Sequence, residues 1–252
     1  MTKIIALTNQ KGGVGKTTTA VNLSAALTGL GKKVLLCDFD PQGNATSGLG
    51  VDPATLKSSI YEVIISQINV KDAIVKTKWA DIIGSNVNLA GAEIDLISMP
   101  DREFCLRNAL RQLDGMYDYI LIDCPPSLGI LTINCLCAAD TILVPLQCEY
   151  YALEGISQLI YTTKQIQKNF NPKIKLEGIA LTMYDGRTNL SIQVVEEVKR
   201  HFADKVFASV IPRNVRLSEA PSHGQPICEY DQYSKGSKAY KELAIELLKR
   251  QG

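Results

Sequence analysis

Little in this chain's bulk composition points to a partner. Its 27 basic and 26 acidic residues leave a formal net charge of +1, so no global basic field draws it to nucleic acid. The stretches before and after Pro126 carry −1 and +2, an asymmetry too small to select anything. No run approaches 18 uninterrupted apolar residues, because Asp140 and Pro145 break the longest candidate; that excludes a membrane-spanning helix. None of the seven cysteines (Cys37, Cys105, Cys124, Cys135, Cys137, Cys148, Cys228) pairs with another at C-x-x-C spacing, which argues against the common zinc and thiol-redox motifs. With no signal peptide at the start, they are expected as free, mostly buried thiols of a reducing cytosol. What is present is apolar mass. At 46% hydrophobic residues over 252 positions, the chain suits a sizeable core in one α/β domain spanning 1–252.

The densest chemistry lies in Lys11-Gly12-Gly13-Val14-Gly15-Lys16-Thr17-Thr18. The apolar residues 4–8 before it read as a short buried strand, and Ala20, Leu23 and Leu27 after it share one helical face. Strand, glycine-rich turn and helix are the context a phosphate-binding loop requires. Glycines let backbone N–H groups close around phosphate oxygens, and the helix N-terminus adds its partial positive charge. In such a loop Lys16 reaches the β- and γ-phosphates, and the Thr17 hydroxyl sits on Mg²⁺.

Residues 33–38 predict a second buried strand, joined to the first by a right-handed parallel crossover. Asp38 and Asp40 stand at its carboxyl end, followed by Pro41, where open parallel sheets bind ligands. Residues 117–123 form another apolar strand, ending in Asp123, whose carboxylate is placed to hold Mg²⁺ through its water shell. Further strands are expected at 141–145 and 175–182, with a short one near 206–210. Helices are expected at 59–64, 93–97 (after a loop at 88–91), 104–113, 192–202 and 238–250. The last of these is amphipathic, with Tyr240, Leu243, Ala244, Leu247 and Leu248 opposite charges of both signs. It reads as a helix closing on the sheet, or as a membrane-targeting one. The sum is an α/β fold: a mostly parallel twisted sheet flanked by helices on both faces.

The loop departs from plain G-x-x-x-x-G-K-[ST]: Gln10 stands where the first glycine belongs, and Lys11 opens it. In this deviant Walker A pattern the chain resembles the ParA/MinD group of dimerising P-loop ATPases. Residues 38–46 resemble that group's switch I, Asp123-Cys124-Pro125-Pro126-Ser127 its switch II, and 211–222 its purine-side segment. Together they look most like the short ParA/Soj type. There is no room before the first strand for the helix-turn-helix domain that larger relatives carry.

The resemblance implies ATP and Mg²⁺ as cofactors and a homodimer in the ATP state, in which Lys11 crosses to the partner's nucleotide. It implies that Asp40 orients the attacking water, and that Pro212 and Asn214 lie against adenine. It further implies non-specific binding of double-stranded DNA, supported for Arg187 and Arg216, with Arg213 assigned to the same patch. A ParB-type partner, segregation of chromosomes or plasmids, and a cytoplasmic, nucleoid-associated location follow from it. Hydrolysis is expected to be slow, since no arginine finger is evident. Residues 147–155 read equally as dimer surface or as a loop with a packed tyrosine pair.

Three other classes share parts of this pattern. A MinD-like membrane-associated ATPase would need a basic terminal helix, which residues 238–250 do not supply. A nitrogenase-reductase-like redox ATPase would need paired cluster cysteines, which Cys124 alone does not match. A scaffold that binds ATP without turnover has no need of both Asp40 and Asp123.

Overall fold

The computed structural model describes residues 1–149 and 152–251. Its centre is a seven-stranded sheet built from β1 (Lys3–Leu7), β2 (Val34–Asp38), β3 (Ile74–Val75), β4 (Asp81–Ile83), β5 (Tyr119–Asp123), β6 (Thr141–Gln147) and β7 (Lys175–Thr182). The order across the sheet is β3-β4-β2-β5-β1-β6-β7. All neighbours run parallel except β3 and β4. Strands β2 and β5 are buried at every position, which is why they read as unbroken apolar runs rather than alternating ones.

The described helices are α1 (Lys16–Gly29), α2 (Asn44–Gly48), α3 (Ile60–Ile64), α4 (Ala92–Asp95), α5 (Cys105–Leu110), α6 (Ile130–Ala138), α7 (Ala152–Asn169), α8 (Asn189–Phe202), α9 (Val215–Glu219), α10 (Ile227–Tyr230) and α11 (Lys235–Gln251). They divide between the two faces. On one, Leu23 and Leu27 of α1 and Tyr240, Leu243 and Leu247 of α11 pack with Ile5, Leu7, Leu36 and Leu121. On the other, Leu106, Leu110, Leu131, Leu136, Ile156 and Leu159 pack with Ala6, Leu35, Cys37, Ile120 and Ile122. Successive strand residues alternate between these two cores, as the two-residue period demands. The α11 result decides the reading of the C-terminal segment. Its apolar face is spent on α1, and the Tyr240 hydroxyl meets the Thr19 hydroxyl at 3.1 Å in the buried seam.

Several local expectations are corrected. Residues 206–210 do not form a strand; Val206 makes an isolated bridge to Ile179, and a second bridge, Tyr184 to Pro212, lies beyond the segment. The Phe207 and Ile211 N–H groups do bond the carbonyls of Ile179 and Leu181, at 2.9 and 2.8 Å. Between them the N–H groups of Ala208 and Ser209 turn instead to the Glu246 carboxylate at 2.8 and 2.9 Å, so the ladder bulges away. Opposite the bulge sits Gly178, where a Cβ would lie 2.5 Å from the Phe207 ring. The loop expected at 88–91 is a 3₁₀ turn (Val87–Gly91), and the helices expected at 93–97 and 104–113 are short α-helices of four and six residues flanked by 3₁₀ turns. The β3–β4 ribbon was not anticipated, because a two-residue strand carries no periodicity to read.

Candidate active site

The sheet brings the candidate residues to one edge. Register pairs Asp38 with Asp123 and Leu7 with Asp123, so the ends of β1, β2 and β5 lie level. The glycine-rich loop leaves β1 at that edge and enters α1. Gly13 and Gly15 have φ of 75° and 87°, left-handed values that L side chains rarely adopt, so the turn depends on glycine at both. Val14 is buried, and its carbonyl accepts the Thr182 hydroxyl at 2.8 Å, tying the loop to the end of β7.

Two more anchors hold the loop's start. The Asn9 amide donates to the Pro145 carbonyl at 2.9 Å, while its oxygen accepts the Lys11 N–H at 3.0 Å. Lys16 is buried, and its ammonium donates to the Lys11 carbonyl at 3.1 Å. Burial lowers the Lys16 pKa, against upward pulls from Asp123, Cys124 and Asp40. The Lys11 side chain folds onto its own chain and pairs with Glu149 at 3.0 Å, both groups being about two-fifths exposed (41% and 44%).

The two buried aspartates have different surroundings. Asp38 Oδ2 accepts the Thr46 N–H at 2.8 Å and its hydroxyl at 2.7 Å, and Oδ1 accepts the Asp40 N–H at 3.2 Å. Burial still raises its pKa, to about 6, with the Thr46 bonds opposing. Asp123 is fully buried, and neither of its carboxylate oxygens completes a hydrogen bond of acceptable geometry, although the Thr17 hydroxyl lies near enough to favour its charged form. Burial first, then the Asp38 charge, push its pKa well up. A buried, unpaired carboxylate is costly, and an oxygen-seeking cation beside the Thr17 hydroxyl would satisfy it. Among the described residues there is no cluster of three or more His, Cys, Asp or Glu suited to a metal. The Asp123 carboxylate and the Thr17 hydroxyl, both hard oxygen donors, fit a hard ion that keeps most of its waters.

Asp40 is half-buried, with Oδ1 accepting the Gln42 N–H at 3.0 Å. Beside the loop lies a cavity of about 530 Å³, lined by Gly15, Thr18, Thr182, Met183, Pro212 and Asn214 among others. Pro212 and Asn214 line this one cavity together with Gly15 and Thr18 of the glycine-rich loop. Asn214 also caps α9, its side-chain oxygen accepting the Arg216 N–H at 2.8 Å. Met183 lines the same cavity with φ of 51°, a strained value for a non-glycine residue. Sequence reading missed Asn9, Thr182 and Met183. The first two were visible only as polar residues at strand ends; Met183 gave no signal.

Two of the three arginines assigned to one patch, Arg187 and Arg216, are held in ion pairs. Arg187, 88% exposed, is held by both oxygens of Asp185, at 2.9 and 2.7 Å. These bonds hold the Asp185 pKa down to about 2. Arg213 lies on the same edge, and its N–H donates to the Tyr184 carbonyl at 3.0 Å. Arg216 on α9 is paired with Glu219 at 2.9 Å and Asp231 at 3.7 Å. The expected tyrosine pair, Tyr150 and Tyr151, lies outside the described residues. All seven cysteines are free thiols, five of them buried. No described helix is long and apolar enough to cross a membrane.

Comparison with known proteins places this geometry. An AAA domain family model matches residues 2–176. The chain is 57% identical over 249 residues to the sporulation initiation inhibitor protein Soj of Bacillus subtilis, covering 98% of each protein. It is 52% identical over 250 residues to the chromosome partitioning protein ParA of Myxococcus xanthus, covering 98% of this chain and 88% of that one. Among solved structures, cobyrinic acid a,c-diamide synthase from Mycobacterium smegmatis with bound ADP and magnesium superposes with a TM-score of 0.88. That protein is 42% identical, with 100% of this chain and 96% of that one covered.

Proposed function

The chain belongs to the ParA/Soj family of chromosome-partitioning ATPases, and from that premise we propose that it hydrolyses ATP to ADP and phosphate within one Mg²⁺-dependent domain. The observation that carries this reading is Asp123: a buried carboxylate without a partner, beside the Thr17 hydroxyl, at the foot of a glycine loop whose lysine is also buried. Thr17 and Asp123 would hold Mg²⁺, which when bound neutralises charge on the phosphate oxygens.

The chain's own residues do the rest. Backbone N–H groups from Gly12 to Thr18 cradle the phosphates, and the Lys16 ammonium exchanges the Lys11 carbonyl for phosphate oxygens. Asp40 is free to orient a water, since only one of its oxygens is engaged, by the Gln42 N–H. Pro212 and Asn214 face the base from the adjoining cavity.

The dimer and the DNA follow from charge. Lys11 gains a phosphate partner only when a second subunit meets it around ATP, so nucleotide acts as the dimerisation switch. Arg187 and Arg216 must exchange carboxylates for DNA phosphates, which keeps the affinity of one subunit low. Two subunits double the phosphate contacts, and their counterion release makes the binding steeply salt-dependent. A ParB-type partner that stimulates turnover, work in chromosome or plasmid segregation, and a cytoplasmic, nucleoid-associated location complete the proposal.

The deciding experiment compares Asp40→Ala and Lys16→Ala with the parent for ATP turnover and for ATP, ADP and random-sequence duplex DNA binding at fixed salt. Asp40→Ala should keep ATP, lose turnover and accumulate on DNA; Lys16→Ala should lose all three. Turnover at the parent rate in Asp40→Ala would overturn its assignment. Lipid binding without DNA binding would favour a membrane role.

A further inference from the structure

The carboxyl edge of the sheet carries the nucleotide site, and the amino edge carries a cleft of its own. It measures about 440 Å³ and lies where Val34 opens β2, Asp81 opens β4 and Lys76 follows β3. The length of β2, about 13 Å, separates it from Asp38 at the strand's other end. None of the glycine-rich loop, residues 38–46 or residues 123–127 lines it.

Its charge is one-sided. Lys32, Lys33 and Lys76 line the cleft against a single carboxylate, Asp81. That carboxylate is already engaged, pairing with Lys76 and accepting the Tyr117 hydroxyl at 2.6 Å. The next lysine along, Lys78, is neutralised by Glu229 at 2.8 Å. Asp118 stands close by and accepts the Lys33 backbone N–H at 2.8 Å, without pairing with its ammonium. Among the described residues, the ammonium groups of Lys32 and Lys33 have no ion-pair or hydrogen-bond partner. Lys32 is half-buried and Lys33 exposed.

Beside these charges runs an apolar wall. Val34, Ala80 and Met116 line it with the rings of Trp79 and Tyr117, and Met116 is 42% exposed. Tryptophan and methionine at the centre of a patch rimmed by charge is the make-up of a protein-binding surface.

The same lining weighs against other anions. Helix α1 reaches the cleft with its last turn, through Thr28, so its dipole offers negative partial charge there. No arginine contributes a planar fork. A lone phosphate, which binds best to converging donors, finds only separate ammonium groups. A duplex presents a convex row of phosphates, which cannot follow the apolar wall into a concave site. Carboxylates spaced along a polypeptide can meet Lys32 and Lys33 singly, with an apolar side chain between them against Met116 and Trp79.

We propose that this cleft docks an acidic segment of a protein partner, its carboxylates pairing with Lys32 and Lys33 and an apolar side chain seated against Trp79 and Met116. The site stands whether or not the chain hydrolyses ATP.

Trp79 is the chain's single tryptophan, so intrinsic emission reports on the wall of this cleft. Random dodecapeptides displayed on phage are selected on the full-length protein and counter-selected on Lys32→Glu with Lys33→Glu. The survivors are then titrated by Trp79 emission at fixed salt. They should be rich in Asp and Glu, should shift the emission, and should bind equally with and without ATP. The charge reversal should weaken them by about tenfold, two surface ion pairs being lost together, and should leave ATP affinity at the parent's value. Should the reversal lower the melting temperature, Lys32→Gln with Lys33→Gln makes the same comparison, expected at about threefold. Survivors without acidic residues, no survivors at all, emission that does not change as peptide binds, or equal affinity for the parent and the glutamine variant would each overturn the docking site. Random-sequence duplex DNA that shifts the emission and displaces the peptides would overturn it in favour of a nucleic-acid edge. Inorganic phosphate that displaces them at equal ionic strength would overturn it in favour of a small-anion site.

Discussion

Asp38 and Asp123 stand side by side in register at the ends of β2 and β5, yet only Asp38 has its oxygens satisfied. The Asp38 oxygens are fastened to Thr46 and Asp40, and Asp123 is the carboxylate proposed to hold the cation. Burial, and then the Asp38 charge, raise the Asp123 pKa, whereas burial raises that of Asp38 against its Thr46 and Asp40 hydrogen bonds.

This pairing sets a pH dependence. A carboxylate whose folded pKa lies above its unfolded value stabilises the fold below the unfolded value, near 4, and loses that contribution as pH rises through the folded one, about 6 for Asp38. Asp123→Asn removes one charge of the pair. Without nucleotide, its melting temperature should exceed the parent's by a margin that grows as pH rises above the unfolded carboxylate value, near 4. With MgATP the order should reverse, since the variant lacks the carboxylate proposed to hold magnesium. Thermal melts across pH check both halves.

Thr46 should prove a stability residue rather than a catalytic one. Its buried hydroxyl donates to Asp38 and accepts the Ser85 N–H at 2.9 Å. Thr46→Val leaves a buried carboxylate and a buried N–H each short of a partner, a loss of about 2–4 kcal/mol in urea denaturation. Thr46→Ser should recover most of it.

Lys11 and Glu149 offer the opposite case. Their ion pair is exposed on both sides, so Glu149→Gln and Lys11→Ala should each alter stability by less than about 1 kcal/mol. Lys11→Ala should nevertheless lose ATP-dependent dimerisation, measured by light scattering. A monomer–dimer response equal to the parent's would remove Lys11 from the interface.

Helix α11 should behave as core. Leu243 is fully buried against the α1 side of the sheet, and Leu243→Ala should cost about 2–5 kcal/mol of unfolding free energy. Anionic vesicles should not protect it, because its apolar face is already covered.

The strand–loop–helix arrangement was readable in order: glycine spacing before α1, and apolar strands ending in Asp38 and Asp123. These signals are local, since each depends on residues within one turn or one strand, and buried parallel strands announce themselves as apolar runs. The amphipathic pattern of the last helix was equally plain, but what it covers was not. Only tertiary packing, with Tyr240 against Thr19, separated a closing helix from a membrane one. The same holds for the segment at 206–210, whose apolar residues promised a strand until Glu246, from a helix nearly forty positions on, took its N–H groups. Likewise, Asp38 and Asp123 look alike as strand-ending carboxylates, and only the arrival of Thr46 at one of them made the other the orphan. Which donor reaches which acceptor across the fold is a matter of long-range geometry, and no local pattern encodes it.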